Sequence, residues 1–424
     1  MIFSAKKGLK GEITVPGDKS ISHRAIMTAA LADGTTRITN FLNSADCLAT
    51  IDCFKKMSVD IEEKNGEVFV RGRGINGLSA PSETLYTANS GTTTRIMSGI
   101  LAGQPFSCVV DGDASIRKRP MNRIITPLSL MGADITSSPG ALAPLHINGR
   151  PLKGIHYESP VASAQVKSSI LYAGLFADGE TSVTEPYLSR NHTELMFKSF
   201  GIDVKSSGTT AAVSRSPGFK ATDITVPGDI SSAAFFLAAG LITRGSQITV
   251  KNVGINPTRD AIIEVIERMG GSIKVENVRS NGGEKSADIT VKESSLSGIT
   301  IEKDMIPRLI DEIPVIAVIA ACASGTTVIR DAAELKVKES NRIDLTAENL
   351  KKMGADVTPA DDGMIINGGR PLKGAVIESR FDHRIAMAFS VASLVAEGET
   401  EIRNAECVSV SYPDFYRDLN RLSS

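Results

Sequence analysis

Six stretches of the chain share one pattern of apolar and polar positions. Each has a run of small and apolar residues, a Gly-centred turn and a short segment rich in β-branched residues. They read AIMTAALADGTTRITN (25–40), RIMSGILAGQPFSCVV (95–110), SSILYAGLFADGETSVTEP (168–186), FFLAAGLITRGSQITV (235–250), VIAACASGTTVIRD (318–331) and FSVASLVAEGETEIRN (389–404). Runs that are hydrophobic nearly all round predict helices buried inside a domain, not helices lying on its surface. A second helix follows each strand, and several end in a shared stop: SLMGADI (129–135), KSFGIDV (198–204), ERMGGSI (267–273) and KKMGADV (351–357). The Gly there suits the left-handed position that ends a helix, and the residues after it begin a strand. One turn is also copied, INGRPLKG at 147–154 and INGGRPLKG at 366–374. The repeating unit is therefore β-α-β-α-β-β, roughly a sixth of the 424-residue chain. A chain of this length exceeds one average core, so the six units divide into two domains.

The sixth unit stops early, because the chain ends soon after YPDFYRDLNRLSS begins at 412. Two strands without a unit, MIFSA and GEITV, precede the first helix. An unpaired strand edge is a liability, so these N-terminal strands are expected to complete the last unit. The string ITVPGD occurs at 13–18 and again at 224–229. It marks the two crossings between domains, with hinges near 16–19 and 226–229. The expected division is 20–226 for the N-terminal domain, and 1–19 plus 227–424 for the C-terminal one.

Composition narrows the function classes. A net charge of −1 argues against nucleic acid as a bulk partner, and no apolar run reaches the length of a membrane helix. MIFSAKKGLKGEITV lacks the apolar core of a secretory signal, so a cytoplasmic location is expected. The five cysteines (47, 53, 108, 322, 407) show no zinc spacing and read as free, buried thiols, and the five histidines are scattered. Neither a metal nor a cofactor is called for.

Charge collects at the starts of the apolar helices. The first has Lys19, Ser20, Ser22, His23 and Arg24, with Ser20 and Arg24 on one face at i, i+4 spacing. The second has Asn89, Ser90, Gly91, Thr92 and Arg95; the third Ser163, Gln165 and Lys167; the fifth Asp311 and Glu312; the sixth Asp382, His383 and Arg384. The fourth, DISSAAFF, has no cation, so its start is expected to carry structure alone. Loops at the same end add Arg117, Lys118 and Arg119 in DGDASIRKRPM, Ser189, Arg190 and His192 in LSRNHTE, and Lys336, Lys338, Glu339 and Arg342 in ELKVKESNR. Helix N-termini and Arg side chains together favour a small ligand bearing phosphate and carboxylate groups. Asp311 and Glu339 stand among these cations, where they either neutralise neighbours or transfer protons.

The ordered motifs PGDKSISHR, NSGTTTR, DGDASIRKRPM, ASAQVKS, DEIPVIAVIAA, KVKESNR and FDHRIAMAFS resemble those of the 5-enolpyruvylshikimate-3-phosphate synthases, from about residue 10 to 416. The resemblance implies an inside-out α/β barrel fold of the α/β class. It has two domains, each of three β-α-β-α-β-β units around a pseudo-threefold axis, with the active site in the cleft between them. It implies transfer of the enolpyruvyl group of phosphoenolpyruvate to the 5-hydroxyl of shikimate 3-phosphate, through a tetrahedral intermediate, with release of phosphate. On the matching positions, Lys19, Ser20, Arg24, Ser163, Ala164, Gln165, Ser189, Arg190, Asp311 and Lys338 would bind shikimate 3-phosphate. Lys19, Asn89, Gly91, Thr92, Arg119, Gln165, Arg342, His383 and Arg384 would hold phosphoenolpyruvate. Asp311, Glu339 and Lys19 would be catalytic.

Some positions depart from the family pattern. Val410 in CVSVSYPDF stands where many members carry a Lys, Ile96 replaces a Pro, and Ser163-Ala164-Gln165 and Arg190-Asn191-His192 differ from the usual strings. Gly91 leaves room for glyphosate beside phosphoenolpyruvate, so inhibition is expected. The sister transferases acting on UDP-N-acetylglucosamine use a Cys where this chain has Ala114, and Cys108 lies in an apolar strand. A non-catalytic anion-binding repeat protein would have no use for Asp311 or Glu339. A monomer is expected.

Overall fold

The apolar runs form helices that are buried nearly all round: Lys19–Leu31, Gly91–Ala102, Ala164–Gly174, Ile230–Ile242, Ile313–Cys322 and His383–Ser393. Each starts at an acidic or hydroxyl side chain: Asp18, Ser90, Ser163, Asp229, Glu312 or Asp382. All but Glu312 accept a backbone N–H of the first turn, and such a cap typically contributes about 1 kcal/mol. The glycines of the four shared stops, Gly132, Gly201, Gly270 and Gly354, have φ of 94°, 76°, 83° and 85°. That left-handed region is the one a Cβ disfavours, so the repeated Gly is a backbone requirement.

This structure is a computed structural model in which residues 1–422 are described, and it falls into two compact units. One holds residues 17–226 with 280–284. The other holds residues 1–16, 227–279 and the chain from Lys285 on. Gly17, Asp18 and Lys19 thus go with residues 20–226 and not, as expected, with the N-terminal strands. The reason is local: Asp18 caps the helix Lys19–Leu31 by accepting from Ile21 N at 2.9 Å, and Lys19 pairs with Asp46 in the following helix.

Each unit has three apolar helices at its centre. In the second, Ile230–Ile242, Ile313–Cys322 and His383–Ser393 pack pairwise. In the first, Gly91–Ala102 lies against Ala164–Gly174 so closely that a Cβ at Gly99 would be 2.0 Å from Ser169 O. Lys19–Leu31 joins them through Thr28 and Tyr172, whose hydroxyls are 2.6 Å apart. Small residues in these helices are therefore a packing requirement, because larger ones would separate the backbones.

Sheets surround the helices in a repeated order. A short leading strand pairs in parallel with the strand after the apolar helix, which pairs antiparallel with the last strand of a hairpin. Among the described residues there are five four-stranded sheets of this kind, one three-stranded sheet and one two-stranded pair. The N-terminal strands divide between two of them. Ile2–Ser4 pairs antiparallel with Glu399–Arg403 and completes the sixth unit. Lys10–Thr14 instead pairs in parallel with Gln247–Gly254, so it is the leading strand of the fourth unit, which corrects the expectation that both strands finish the sixth. Ile224–Thr225 does the same for the first unit, pairing in parallel with Asp33–Thr39. Each copy of ITVPGD therefore writes a strand that closes one unit, then a turn and cap that open a helix of the other.

Four of the five cysteines are buried, Cys322 is half-buried, and all are free. Among the described residues no helix is long and apolar enough to cross a membrane, and no cluster of His, Cys, Asp and Glu has metal-binding geometry.

Candidate active site

In the unit of residues 17–226, the capped helix starts bring the expected side chains to one end of the three-helix core. Lys19 Nζ is 3.1 Å from Asp46 Oδ2, with both side chains largely covered. Half-buried Ser20 accepts at its Oγ from Arg190 Nη1 at 3.3 Å, which joins the first helix start to the loop before His192–Ser199. At the second start, Gly91 lies under two guanidinium groups. A Cβ there would be 3.1 Å from Arg95 Nη1 and 3.1 Å from Arg119 Nη1. Arg95 donates to Gln165 Oε1 at 2.8 Å, and Gln165 Nε2 donates to Thr92 Oγ1 at 3.1 Å. Arg119, Arg95, Gln165, Thr92 and the bare Cα of Gly91 thus lie together on one surface, beside half-buried Asn89. Arg95 was legible only as part of NSGTTTR; its i, i+4 relation to Gly91 is the signal that places it on this face.

The two arginines of DGDASIRKRP have different positions. Arg117 forks onto Asp111, Nε to Oδ1 at 3.0 Å and Nη2 to Oδ2 at 2.5 Å, and that fork holds the Asp111 carboxyl below its usual range. Arg119 is the one that reaches Gly91. Ala114 is exposed in this loop, whereas burial pushes the Cys108 thiol up to about 12, which makes it a poor nucleophile.

Arg24, His23 and Lys167 point inward. Arg24 is 2% exposed and donates to Thr193 Oγ1 at 2.7 Å, Ser168 Oγ at 2.7 Å and Ser20 O at 2.9 Å. Its i, i+4 partner Ser20 is thus held by its carbonyl, and the guanidinium ties three helices together. His23 is fully buried; its Nδ1 is 2.7 Å from Thr50 Oγ1, and burial lowers its pKa to about 3, so the ring is neutral. Lys167, read from sequence as a cation at the third start, lies between Glu185 (3.0 Å) and Glu194 (2.9 Å). Ser163 and Ala164 begin the third helix, and Ser189 and Arg190 occupy the loop before His192–Ser199.

In the other unit, Arg342 joins the expected acids. It is 1% exposed and donates from Nη1 to Asp311 Oδ1 at 3.2 Å and from Nη2 to Glu339 Oε2 at 2.5 Å. From Nε it reaches Asp382 Oδ2 at 2.9 Å. Burial works against its charge, but Asp382, Glu339 and Asp311 hold the guanidinium above its usual pKa. Asp382, opposed by its own burial, is held below the usual carboxylate range by Arg342. It also caps the sixth helix through Arg384 N and accepts from Ser340 Oγ at 2.9 Å. Arg384 Nε is 3.7 Å from Asp311 Oδ1, and His383 is buried beside it. Burial lowers the pKa of the Lys338 ammonium, with Asp311 as the main opposing charge. Asp311 does not begin the fifth helix; it precedes the N-cap Glu312 in a turn.

The fourth start is more charged than its sequence suggests. Ser231 donates to Glu312, and Arg259 Nη2 is 2.5 Å from Ser231 Oγ and 3.6 Å from both Asp229 and Glu312. All four are buried. The fourth start is thus occupied by an internal set of buried charges, in which Arg259 supplies the cation its own sequence lacks.

Residues 3–419 match the profile of the family described as EPSP synthase (3-phosphoshikimate 1-carboxyvinyltransferase). The chain belongs to that family. A 3-phosphoshikimate 1-carboxyvinyltransferase of Thermoanaerobacter sp. (strain X514) is 56% identical over 419 residues, covering 98% of both chains. The solved EPSP synthase of Acinetobacter baumannii is 50% identical and superposes with a TM-score of 0.91 over 100% of this chain and 97% of its own. A solved enolpyruvyl transferase, NikO from Streptomyces tendae, shares the fold at 17% identity and a TM-score of 0.81, over 99% of this chain and 96% of its own. The architecture is thus the two-domain inside-out α/β fold of the EPSP synthases.

Proposed function

We propose that the residues brought together in the two units carry out the reaction of the EPSP synthase family. The enolpyruvyl group of phosphoenolpyruvate passes to the 5-hydroxyl of shikimate 3-phosphate, and phosphate leaves. This places the chain in the shikimate pathway to chorismate and aromatic amino acids. In the addition step the 5-hydroxyl oxygen bonds to C2 of phosphoenolpyruvate while a proton is delivered to C3. In the elimination step a proton leaves that methyl carbon and the C2–O bond to phosphate breaks.

The observation that carries the reading is the sharing of Arg342 by Asp311 and Glu339, 3.2 and 2.5 Å from the same guanidinium. The shared guanidinium holds the two carboxyl groups at fixed positions close together, and positioned carboxyl groups are what a base and an acid require. Asp311 takes the 5-hydroxyl proton; Glu339 and Lys19 deliver and withdraw the proton at the methylene carbon. Gly91, Thr92, Asn89, Arg119, Gln165, Lys19, Arg342, His383 and Arg384 serve phosphoenolpyruvate, and Arg95 joins them. Ser20, Ser163, Ala164, Gln165, Ser189, Arg190, Lys19, Asp311 and Lys338 serve shikimate 3-phosphate, with Arg24 holding Ser20 from below. Gly91 also leaves space for glyphosate. We infer that the enzyme works as a cytoplasmic monomer, in keeping with its free thiols.

The test is phosphate release from phosphoenolpyruvate with shikimate 3-phosphate or UDP-N-acetylglucosamine added separately. Release with shikimate 3-phosphate alone supports the reading; release with the nucleotide sugar alone, or with neither, refutes it.

A further inference from the structure

The helix Ala45–Lys56 carries none of the residues given a role above, yet it holds two helix starts that do. Asp46 and Thr50 are one turn apart on it, and they face Lys19 and His23, one turn apart on the helix Lys19–Leu31. One rung is the ion pair of Lys19 Nζ with Asp46 Oδ2 at 3.1 Å, and the next is His23 Nδ1 with Thr50 Oγ1 at 2.7 Å. Thr50 also reaches a third helix. Its Oγ1 is 2.7 Å from the Oγ1 of Thr93, in the first turn of Gly91–Ala102. Thr93 in turn donates to Ser90 Oγ from its N at 3.1 Å and its Oγ1 at 2.7 Å, and Ser90 is the N-cap beside Gly91.

His23, Thr50, Thr93 and Ser90 are all fully buried. A hydroxyl gives one hydrogen and accepts at two lone pairs, so Thr50 serves both neighbours whichever of them donates. The second ring nitrogen of His23, Nε2, is buried with no hydrogen-bond partner among the described residues. Removing the Thr50 oxygen therefore leaves the ring with neither nitrogen satisfied, and a buried polar group left unpaired bears its whole desolvation cost. Packing alone does not require that oxygen, since Val matches Thr in shape and lacks only the hydroxyl. What the oxygen adds is a fixed spacing between two helix starts, with Lys19 at one and Gly91 at the other.

We infer that Thr50 is a positioning residue, whose hydroxyl sets the start of Gly91–Ala102 against the start of Lys19–Leu31 and so fixes Gly91 relative to Lys19. The inference rests on the function proposed above, in which both residues serve phosphoenolpyruvate. One buried oxygen, on a helix outside the site, then governs how well that substrate is held.

The experiment compares wild type with Thr50→Val, Thr50→Ser, Thr93→Val and Thr28→Val. Steady-state phosphate release gives the KM for each substrate, and denaturant titration gives stability. Thr28→Val is the control: Thr28 is as buried as Thr50 and makes the same kind of bond, 2.6 Å from the Tyr172 hydroxyl, further along the same helix. A merely structural hydroxyl would cost stability at either position and leave both KM values alone. In Thr50→Val the KM for phosphoenolpyruvate rises roughly fivefold or more, while the KM for shikimate 3-phosphate stays within about twofold. Thr50→Ser keeps the oxygen and restores the wild-type KM. Thr93→Val breaks the link from its other side and leaves His23 paired with Thr50, so it serves if Thr50→Val does not fold. Thr28→Val loses stability with both KM values unchanged. A wild-type KM for phosphoenolpyruvate in folded Thr50→Val or Thr93→Val would overturn the inference, as would an equal rise in Thr28→Val or a failure of Thr50→Ser to restore it. A wild-type protein with no turnover of shikimate 3-phosphate would instead refute the proposed function, so the two failures are distinguishable.

Discussion

Replacing Gly91 by Ala tests the anion surface with a single methyl group. The new carbon would lie 3.1 Å from Arg95 Nη1 and 3.1 Å from Arg119 Nη1, a few tenths of an ångström inside ordinary contact on both sides. Both guanidinium groups must retreat, and Arg95 is also tied to Gln165 at 2.8 Å. Losing one charged hydrogen bond to the ligand costs about 1.5–3 kcal/mol. That corresponds to a rise of roughly 10- to 150-fold in the KM for phosphoenolpyruvate. Folding should not suffer. Gly91 is the first residue of its helix and lies outside the left-handed region, where Gly→Ala typically stabilises by about 0.4–1 kcal/mol. The assay is phosphate release against phosphoenolpyruvate at saturating shikimate 3-phosphate, with a thermal melt of each protein. The expected pair is a raised KM for phosphoenolpyruvate, with the KM for shikimate 3-phosphate within threefold, and a melting temperature unchanged or a few degrees higher. An unchanged KM, or a lowered melting temperature with both KM values raised together, would refute the convergence of Arg95 and Arg119 on the ligand.

Asp311→Asn should abolish turnover while calorimetry still detects shikimate 3-phosphate binding; residual turnover above a hundredth of wild type would remove Asp311 as the base. Asp382→Asn takes one carboxylate from buried Arg342 and should destabilise the protein by about 3–5 kcal/mol in denaturant titration; a loss below 1 kcal/mol would mean that Asp311 and Glu339 suffice to balance Arg342. His23 predicts a pH dependence of stability. Its folded pKa of about 3 is below the ordinary 6.5, so the unfolded chain takes up a proton first as pH falls. Its contribution is intact above pH 6.5 and is lost towards pH 3, at a limiting rate of about 1.4 kcal/mol per pH unit. His23→Gln should therefore flatten the acid side of the stability profile, and parallel profiles for the two proteins would contradict a neutral buried ring.

The six apolar helices and the glycine stops were legible, because burial on every side and a left-handed residue leave local marks in sequence. Strand pairing was not local. GEITV and MIFSA look alike as strands, and only the fold shows that one leads the fourth unit and the other closes the sixth. Charge and spacing singled out Lys19, Arg119, Asp311, Glu339 and Arg342 as candidates but could not give direction. Ser20 and Arg24 share a helical face, yet the longer side chain turns inward to Ser168 and Thr193. Lys167 resembled a ligand residue because its two carboxylate partners come from another segment, Glu185 and Glu194. Arg117 and Arg119, two positions apart, are told apart only by the reach of Asp111.

The divided N-terminal strands also set an order for synthesis. Leu9 N donates to Ser246 Oγ from 237 positions away, and Ile2 pairs with Glu401. At about 5–20 residues per second, a ribosome would present Lys10–Thr14 with its partner only after roughly 10–50 s, and Ile2–Ser4 with its own only after roughly 20–80 s. In the continuous stretch 17–226, Asp33–Thr39 likewise waits for Ile224–Thr225, 186 positions on. Throughout that wait the leading peptide is an open strand edge, and it carries Lys6, Lys7 and Lys10 within its first ten residues. Like charges on a waiting strand repel other nascent copies, so the same segment that finishes the fold is written to stay single until its partners emerge.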